Sequence, residues 1–237
     1  MKKIILATTA LVLSAGFAMA DTVRMGTEGA YPPYNFVNDK GEVDGFEREI
    51  GDELCKRADL TCEWVTNEWD SIVANLTSGN YDTIIAGMSI SDERKQTIDF
   101  SENYLPPALS SYLAPAADAD LTGAIAAQTG TIQADYIAKS GATLIEFATL
   151  DDTIAAVKSG EADAVFADRD ALKPFSEGQD LVWAGENVTL DQGIGIGIRK
   201  SDTELKAKFD AAIESMKADG TLNTAIKKWF GDDAATF

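Results

Sequence analysis

Two segments hold side chains whose types and spacing suit the recognition of a charged small molecule. In Ser89-Ile90-Ser91-Asp92-Glu93-Arg94-Lys95, Ser91 reads as an N-cap followed by acids in a first helical turn. A helix beginning there aims free N–H groups and a serine hydroxyl at an anion, and Arg94 within that turn can grip a carboxylate through two parallel hydrogen bonds. The plainer reading is an exposed arginine paired with a neighbouring acid. In Gly26-Thr27-Glu28-Gly29-Ala30-Tyr31-Pro32-Pro33-Tyr34-Asn35-Phe36, a strand runs into a loop fixed by glycines and prolines that carries one carboxylate and several rings. Glu28 can hold a cation or an amide while Tyr31 offers a flat apolar face, and Trp69, in Asn67-Glu68-Trp69-Asp70, can supply a second. A cation between rings and a carboxylate gains cation–π attraction of roughly 0.5 to 2 kcal/mol besides its ion pair. Such an aromatic loop can equally be packing.

These residues need a scaffold that brings them together. Strand-like runs at 23–26, 83–86, 124–127, 164–167 and 193–198 alternate with helical patterns, which predicts an α/β fold built on βαβ units and a mostly parallel sheet. Residues 70–82, D-S-I-V-A-N-L-T-S-G-N-Y-D, are followed by an apolar run to Ala86; 81 residues later, 151–163 read D-D-T-I-A-A-V-K-S-G-E-A-D with an apolar run to Ala167. Each copy is an acidic helix start, an apolar-faced helix, a Ser-Gly stop and a short buried strand. Two copies suggest two similar lobes, since a solenoid needs at least three, although helix-Gly-strand units resemble one another in any α/β protein. Ligands of α/β folds bind outside the carboxyl ends of strands, so residues 87–89 and Asp168 would face each other across a cleft. Gly193-Ile194-Gly195-Ile196-Gly197-Ile198 is a strand with glycine on one side, a mark of close approach. Two helices follow, carrying Leu205, Phe209, Ile213 and Met216, then Leu222, Ile226, Trp229 and Phe230, and they return the tail to the first lobe. Crossings near 110–116 and 193–199 would form a hinge, dividing the chain into lobe 1 (21–112 plus 198–237) and lobe 2 (113–197).

Composition narrows the chemistry. The 237 residues contain no histidine, which excludes Ser-His-Asp or Cys-His nucleophile systems, His-type zinc sites and an imidazole switch. With 20 Lys plus Arg against 39 Asp plus Glu, the acidic balance argues against nucleic acid as a partner. Residues 1–20 form a basic start, an apolar stretch and an Ala18-Met19-Ala20 cleavage site before Asp21, a signal peptide too short to span a membrane. Its removal takes away two lysines and no acids, so the formal charge passes from -19 to -21. With no lipid-bearing cysteine after the cleavage site, the expected product is a free, soluble monomer in the exported compartment. Cys55 sits near the end of an amphipathic helix at 46–58, and Cys62 opens an apolar strand. A helix-to-strand turn would let them bond as a local staple worth about 2 to 2.5 kcal/mol. Two free thiols or a redox pair are the alternatives, the latter preferring C-x-x-C.

Together, G-T-E-G-A-Y-P-P-Y-N-F (26–36), G-F-E-R-E-I (45–50), E-L-C-K-R (53–57), W-D-S-I (69–72), A-G-M-S-I-S-D-E-R-K (86–95) and I-D-F-S (98–101) resemble the periplasmic polar amino-acid binding proteins of ABC importers, solute-binding protein family 3. The likeness runs over nearly all of 21–230 and is similar to the lysine/arginine/ornithine, histidine, glutamine and opine binding members. The resemblance implies a periplasmic binding protein type II-like fold that closes on one amino acid, a membrane permease with its ATPase as partner, and no cofactor, metal or catalytic residue. It places the ligand α-carboxylate on Arg94, with Ser89 and backbone at Gly87, and from the element Gln128 to Gln133 Thr131 and the backbone of Ile132; Met88 is in the implied ligand set. It gives the α-ammonium to Asp168 and the carbonyl near Ala86, and the ligand's distal end to Glu28, with Tyr31 and Trp69 sandwiching its side chain. Gln128 belongs to the same ligand set, and the cysteine pair coincides with a disulfide of the basic amino-acid members.

The sequence departs from the family in places. Glu28 stands where Asp is common, Ala86 and Gly87 where some members carry serines, and Ala167 where a glutamine binder carries a polar group. Glu28 with two rings favours a guanidinium or ammonium tail, hence arginine, lysine or ornithine; glutamine, histidine or an opine are the alternatives. A second class is an exported dehydratase of cyclohexadienyl acids, with Glu28 and Asp168 as acid and base. A receptor's sensing domain would need a transmembrane tether, and no second long apolar segment follows the leader.

Overall fold

The computed structural model describes residues 22–177 and 181–237; the leader expected at 1–20 lies outside the described residues. The order is β1 (Thr22–Thr27), β2 (Ala30–Tyr31), β3 (Asn35–Val37), β4 (Val43–Asp44), α1 (Phe46–Arg57), β5 (Thr61–Thr66), α2 (Ile72–Thr77), β6 (Thr83–Ile84) and β7 (Asp99–Leu105). There follow β8 (Leu109–Ala114), β9 (Ala124–Gln128), α3 (Ile132–Ser140), β10 (Thr143–Phe147), α4 (Leu150–Ser159), β11 (Ala164–Asp168), α5 (Arg169–Ser176) and β12 (Val182–Thr189). The chain closes with β13 (Ile194–Ile198), α6 (Thr203–Ala218) and α7 (Thr221–Phe230).

Two five-stranded sheets form, ordered β5-β1-β6-β13-β7 and β10-β9-β11-β8-β12. Their pairing patterns coincide. The first three strands of each are parallel, and the fourth, β13 or β8, is antiparallel to both of its neighbours. The sheets are therefore mixed, not mostly parallel. A strand leaving for the other lobe points the same way as its parallel neighbours, whereas the strand arriving from it must run back.

Those strands also correct the expected boundaries. The crossings lie at 106–108 and 190–193, so 109–114 pairs wholly within the second sheet and 194–198 within the first. A division at 112/113 and 197/198 would split both strands from their ladders. The tail does return to the first lobe, with α6 packed on β7 and α1, and α7 on α1 and α6.

The repeated segment occupies matching places. Asp82 and Asp163, which end the two copies, make the same reciprocal pair with the neighbouring parallel strand. Arg24 N donates to Asp82 Oδ2 at 3.0 Å and Ala124 N to Asp163 Oδ2 at 2.7 Å, while the acids' own amides return bonds to the carbonyls of Arg24 and Ala124. This register makes Glu28 the counterpart of Gln128, and Gly87 the counterpart of Asp168. The cores are apolar, with Met25, Ile50 and Leu54 buried in the first lobe and Ile125, Val165 and Phe166 in the second.

Cys55 and Cys62 form a disulfide joining the end of α1 to the start of β5, with Cα atoms 6.2 Å apart. It lies at the amino end of a strand whose carboxyl end faces the cleft. Replacing both cysteines by serine is expected to lower unfolding stability by about 2 kcal/mol, read by urea denaturation, with ligand affinity unchanged. No helix among the described residues is long and apolar enough to cross a membrane.

Candidate functional site

Loops at the carboxyl ends of β1, β6, β9 and β11 meet between the lobes. Glu28, Tyr31, Trp69, Ala86, Gly87, Ser89 and Arg94 come from one side and Gln128, Thr131, Gln133 and Asp168 from the other, around a cavity of about 20 Å³. Ten of the residues named from sequence are thus brought together. Two are not in the lining. The Met88 side chain is fully buried with Trp69, Ile72 and Ile90, and Ile132 opens α3. A larger crevice of about 540 Å³ lies beside the first crossing, where Arg169 and Lys173 are interspersed with Asp170 and Asp233.

Arg94 stands in a single 3-10 turn, Arg94–Gln96, instead of the helix expected from Ser91. Ser91 Oγ still accepts from the Arg94 amide at 3.2 Å, but the chain must enter β7 at Asp99, which leaves no length for a full helix. The guanidinium donates from Nη1 to the Ser89 carbonyl at 2.9 Å and from Nη2 to the Gly130 carbonyl of the other lobe at 3.3 Å, and its Cζ lies 5.4 Å from the Trp69 ring centroid. Opposite it, Thr131 caps α3. Its Oγ1 accepts from Ala134 N at 3.1 Å and donates to the Gln128 carbonyl at 2.7 Å. A guanidinium facing a helix N-terminus is a seat for a carboxylate.

Asp168, at the end of β11, is only 5 % exposed. Tyr31 OH donates to its Oδ2 at 2.8 Å across the cleft, and Gln133 Nε2 donates to its Oδ1 at 2.9 Å and to Ser110 Oγ at 3.0 Å. Burial pushes the Asp168 carboxyl up to about 7; the Tyr31 bond opposes the rise and Asp191 and Asp170 add to it. Glu28 accepts from Gln128 Nε2 at 2.6 Å, and the same amide nitrogen donates to the Ala148 carbonyl at 3.0 Å. Burial raises Glu28 to about 7 as well, against the pull of Gln128 and with Glu68 and Glu47 adding. Burial lowers Arg94 to about 10, with Asp168 the leading opposing charge. The two residues at matching register in the repeat, Glu28 and Gln128, thus bond to each other between the lobes.

Sequence reasoning missed two polar residues. Gln133 reads only as the end of a motif, although a cap at Thr131 puts position 133 in the first turn of a helix aimed at the cleft. Asp191 stands in no motif singled out from the sequence. It lies in the second crossing, where its Oδ1 accepts from Ala108 N of the first crossing at 3.2 Å and from Gly193 N at 3.1 Å.

Residues 23–232 match the bacterial extracellular solute-binding proteins, family 3. The chain is 32% identical to the lysine/arginine/ornithine-binding periplasmic protein of Escherichia coli K12 over 97% of both chains. Among solved structures, a periplasmic His/Glu/Gln/Arg/opine family-binding protein from Silicibacter pomeroyi in complex with lysine is 70% identical, with a TM-score of 0.90 over 91% of this chain and 100% of that one. An ancestral arginine-binding protein bound to glutamine is 31% identical, with a TM-score of 0.82 over 90% of this chain and 100% of that one. The mixed α/β architecture is the periplasmic binding protein type II fold of these neighbours. The sequence match, the shared fold and the cleft between two equivalent sheets agree, and the chain belongs to the bacterial extracellular solute-binding proteins, family 3.

Proposed function

We propose that this protein is the soluble periplasmic ligand-binding component of an amino-acid ABC importer and that it closes on a basic amino acid, lysine, arginine or ornithine, for delivery to a membrane permease. One observation carries the reading: a single cavity between the lobes gathers one cation, Arg94, and two carboxylates, Asp168 and Glu28. That charge set is the complement of an α-carboxylate, an α-ammonium and a cationic tail. Arg94 with the α3 N-terminus receives the carboxylate, Asp168 with the Ala86 carbonyl the ammonium, and Glu28 the tail, between Tyr31 and Trp69. Each of these groups also takes part in a lobe-to-lobe bond, so a ligand that engages them bridges the lobes where Tyr31, Gln128 and Gly130 bridge them. The named ligands of the relatives, lysine/arginine/ornithine and lysine, support the basic class. The same groups satisfy a zwitterion completely and leave none over for acid–base chemistry, so the protein acts by binding alone.

A thermal-shift screen of the common amino acids plus ornithine tests this. Ligand at a hundred times its dissociation constant adds about 2.7 kcal/mol to native stability, a rise of several degrees at this size. The expected result is a shift with lysine, arginine and ornithine; no shift with any amino acid would sink the binding reading, and turnover of prephenate or arogenate would replace it with a dehydratase. Glu28→Gln removes the tail's counter-charge while keeping shape and is expected to abolish the preference for basic over neutral ligands. An unchanged preference would show that Glu28 does not hold the tail.

A further inference from the structure

Behind the ligand cavity lies a second carboxylate system that the recognition of an amino acid does not itself use. Glu47, the second residue of α1, is 0 % exposed and has no ion-pair partner among the described residues. It is placed there by Gly45, whose φ of 115° and whose missing Cβ, which would stand 2.6 Å from the Tyr34 carbonyl, let α1 start directly against the loop. The first two helical amides then bond that loop, Phe46 N to the Pro33 carbonyl and Glu47 N to the Tyr34 carbonyl.

Among the described residues, each hydrogen bond to the Glu47 carboxylate comes from a donor in another segment of the chain. Oε1 accepts from Gly87 N at 2.6 Å and from Tyr104 OH. Oε2 accepts from Asn35 Nδ2 at 2.7 Å, while Asn35 Oδ1 accepts from Gly29 N at 2.6 Å. The Gly29 amide fixes which way the Asn35 side chain faces, so Glu47 must present acceptors on both sides. Burial pushes the Glu47 carboxyl up, and the bonds from Tyr104, Gly87 and Asn35 pull it back. One side chain therefore joins the Glu28–Tyr31 loop through Gly29, the cavity-lining Gly87, and β7 two residues before the first crossing.

We propose that Glu47 is a positioning residue for ligand recognition, setting the Gly87 backbone and the Glu28 loop in register with each other and with the strand that enters the hinge. The proposal rests on the amino-acid-binding reading for its affinity readout and on the hydrogen-bond geometry alone for its structural one. A glutamine at position 47 would turn an amide donor toward either the Gly87 amide or the Asn35 amide, neither of which can accept. The polarity can be reversed without changing shape. In the double variant Asn35→Asp/Glu47→Gln, the amide introduced at position 47 would donate to the carboxylate introduced at position 35 and still accept from Gly87 and Tyr104. That new carboxylate would still accept from Gly29.

The test is lysine titration calorimetry and amide exchange of Gly87 by NMR on wild type, Glu47→Gln and the double variant. Glu47→Gln is expected to weaken lysine binding about tenfold or more, because an unpaired buried group costs on this scale, and to speed Gly87 exchange. The double variant is expected to return both to within about threefold of wild type. Lysine affinity in folded Glu47→Gln within about twofold of wild type overturns the proposal, as does a double variant with native melting temperature that still binds weakly. If Glu47→Gln does not fold, Tyr104→Phe takes its place, and unchanged affinity there is the overturning result. If wild type binds no amino acid, the functional reading fails separately. Gly87 exchange in the free protein then decides the positioning role, and protection insensitive to Glu47→Gln overturns it.

Discussion

Arg94→Ala is expected to weaken binding of every amino acid by about a hundredfold to several thousandfold. The α-carboxylate is common to all of them, so the loss does not depend on the ligand side chain. Removing one partner of a desolvated charge pair costs about 3 to 5 kcal/mol, which converts to that range at about 1.4 kcal/mol per decade. The variant also leaves the Ser89 carbonyl without the donor that holds it, at 2.9 Å in the wild type. The fold should survive, because among the described residues the guanidinium's hydrogen bonds go to two loop carbonyls. Arg94→Lys keeps the charge and loses the planar fork, so it should recover only part of the affinity. Calorimetry with lysine, arginine and one neutral amino acid checks the claim. Affinity kept within tenfold for all three would remove Arg94 from the carboxylate seat.

Between pH 8 and pH 6 the dissociation constant for lysine is expected to rise about a hundredfold. Glu28 and Asp168 are both raised to about 7, by burial first, and a cationic ligand needs both ionised. Each passes from about nine-tenths to about one-tenth ionised over that interval, a tenfold effect for each group. Binding near neutral pH should therefore release protons, which appears as a difference between calorimetric enthalpies in two buffers of unlike ionisation enthalpy. A dissociation constant that does not change from pH 8 to pH 6 would show that neither carboxylate meets the ligand cation.

The sign is opposite for the free protein. Acids whose folded pKa is raised contribute stability that is full below their unfolded value, about 4, and is lost as pH rises through about 7. The free protein should thus lose melting temperature from pH 5 to pH 8 as the ligand-induced shift grows. Asp82 works in a separate window. Burial alone would raise it, but bonds from the Arg24 side chain and amide and from Arg199 carry it down to about 2. Its contribution is present above about pH 4 and fades only as pH falls toward 2.

Much of the site was legible because its signals are local. Arg94 sits three residues after a serine cap, Glu28 follows a strand in a loop of glycines and prolines, and Asp168 ends an apolar run that repeats an earlier one. Motif spacing carried the family, and helical periodicity placed α1, α4, α6 and α7 close to where they stand. Periodicity says nothing about strand direction. The reversed strand in each sheet follows from which segment arrives across the hinge, and the crossings precede by a few residues the segments at 110–116 and 193–199 expected to hold them.

Caps, periods and motif spacing are properties of neighbouring residues, so the order of the chain was enough for the α/β class, the two repeated units, the local staple and the charged residues that suit an amino acid. What those residues touch was decided by the packed fold. Tyr31 and Asp168 are bonded across 137 positions, Glu28 and Gln128 across 100, and Glu47 and Gly87 across 40. A carboxylate's partner, and with it its charge at a given pH, is set by which donors the fold packs around it, and separations of that size leave no mark in the local pattern of the chain.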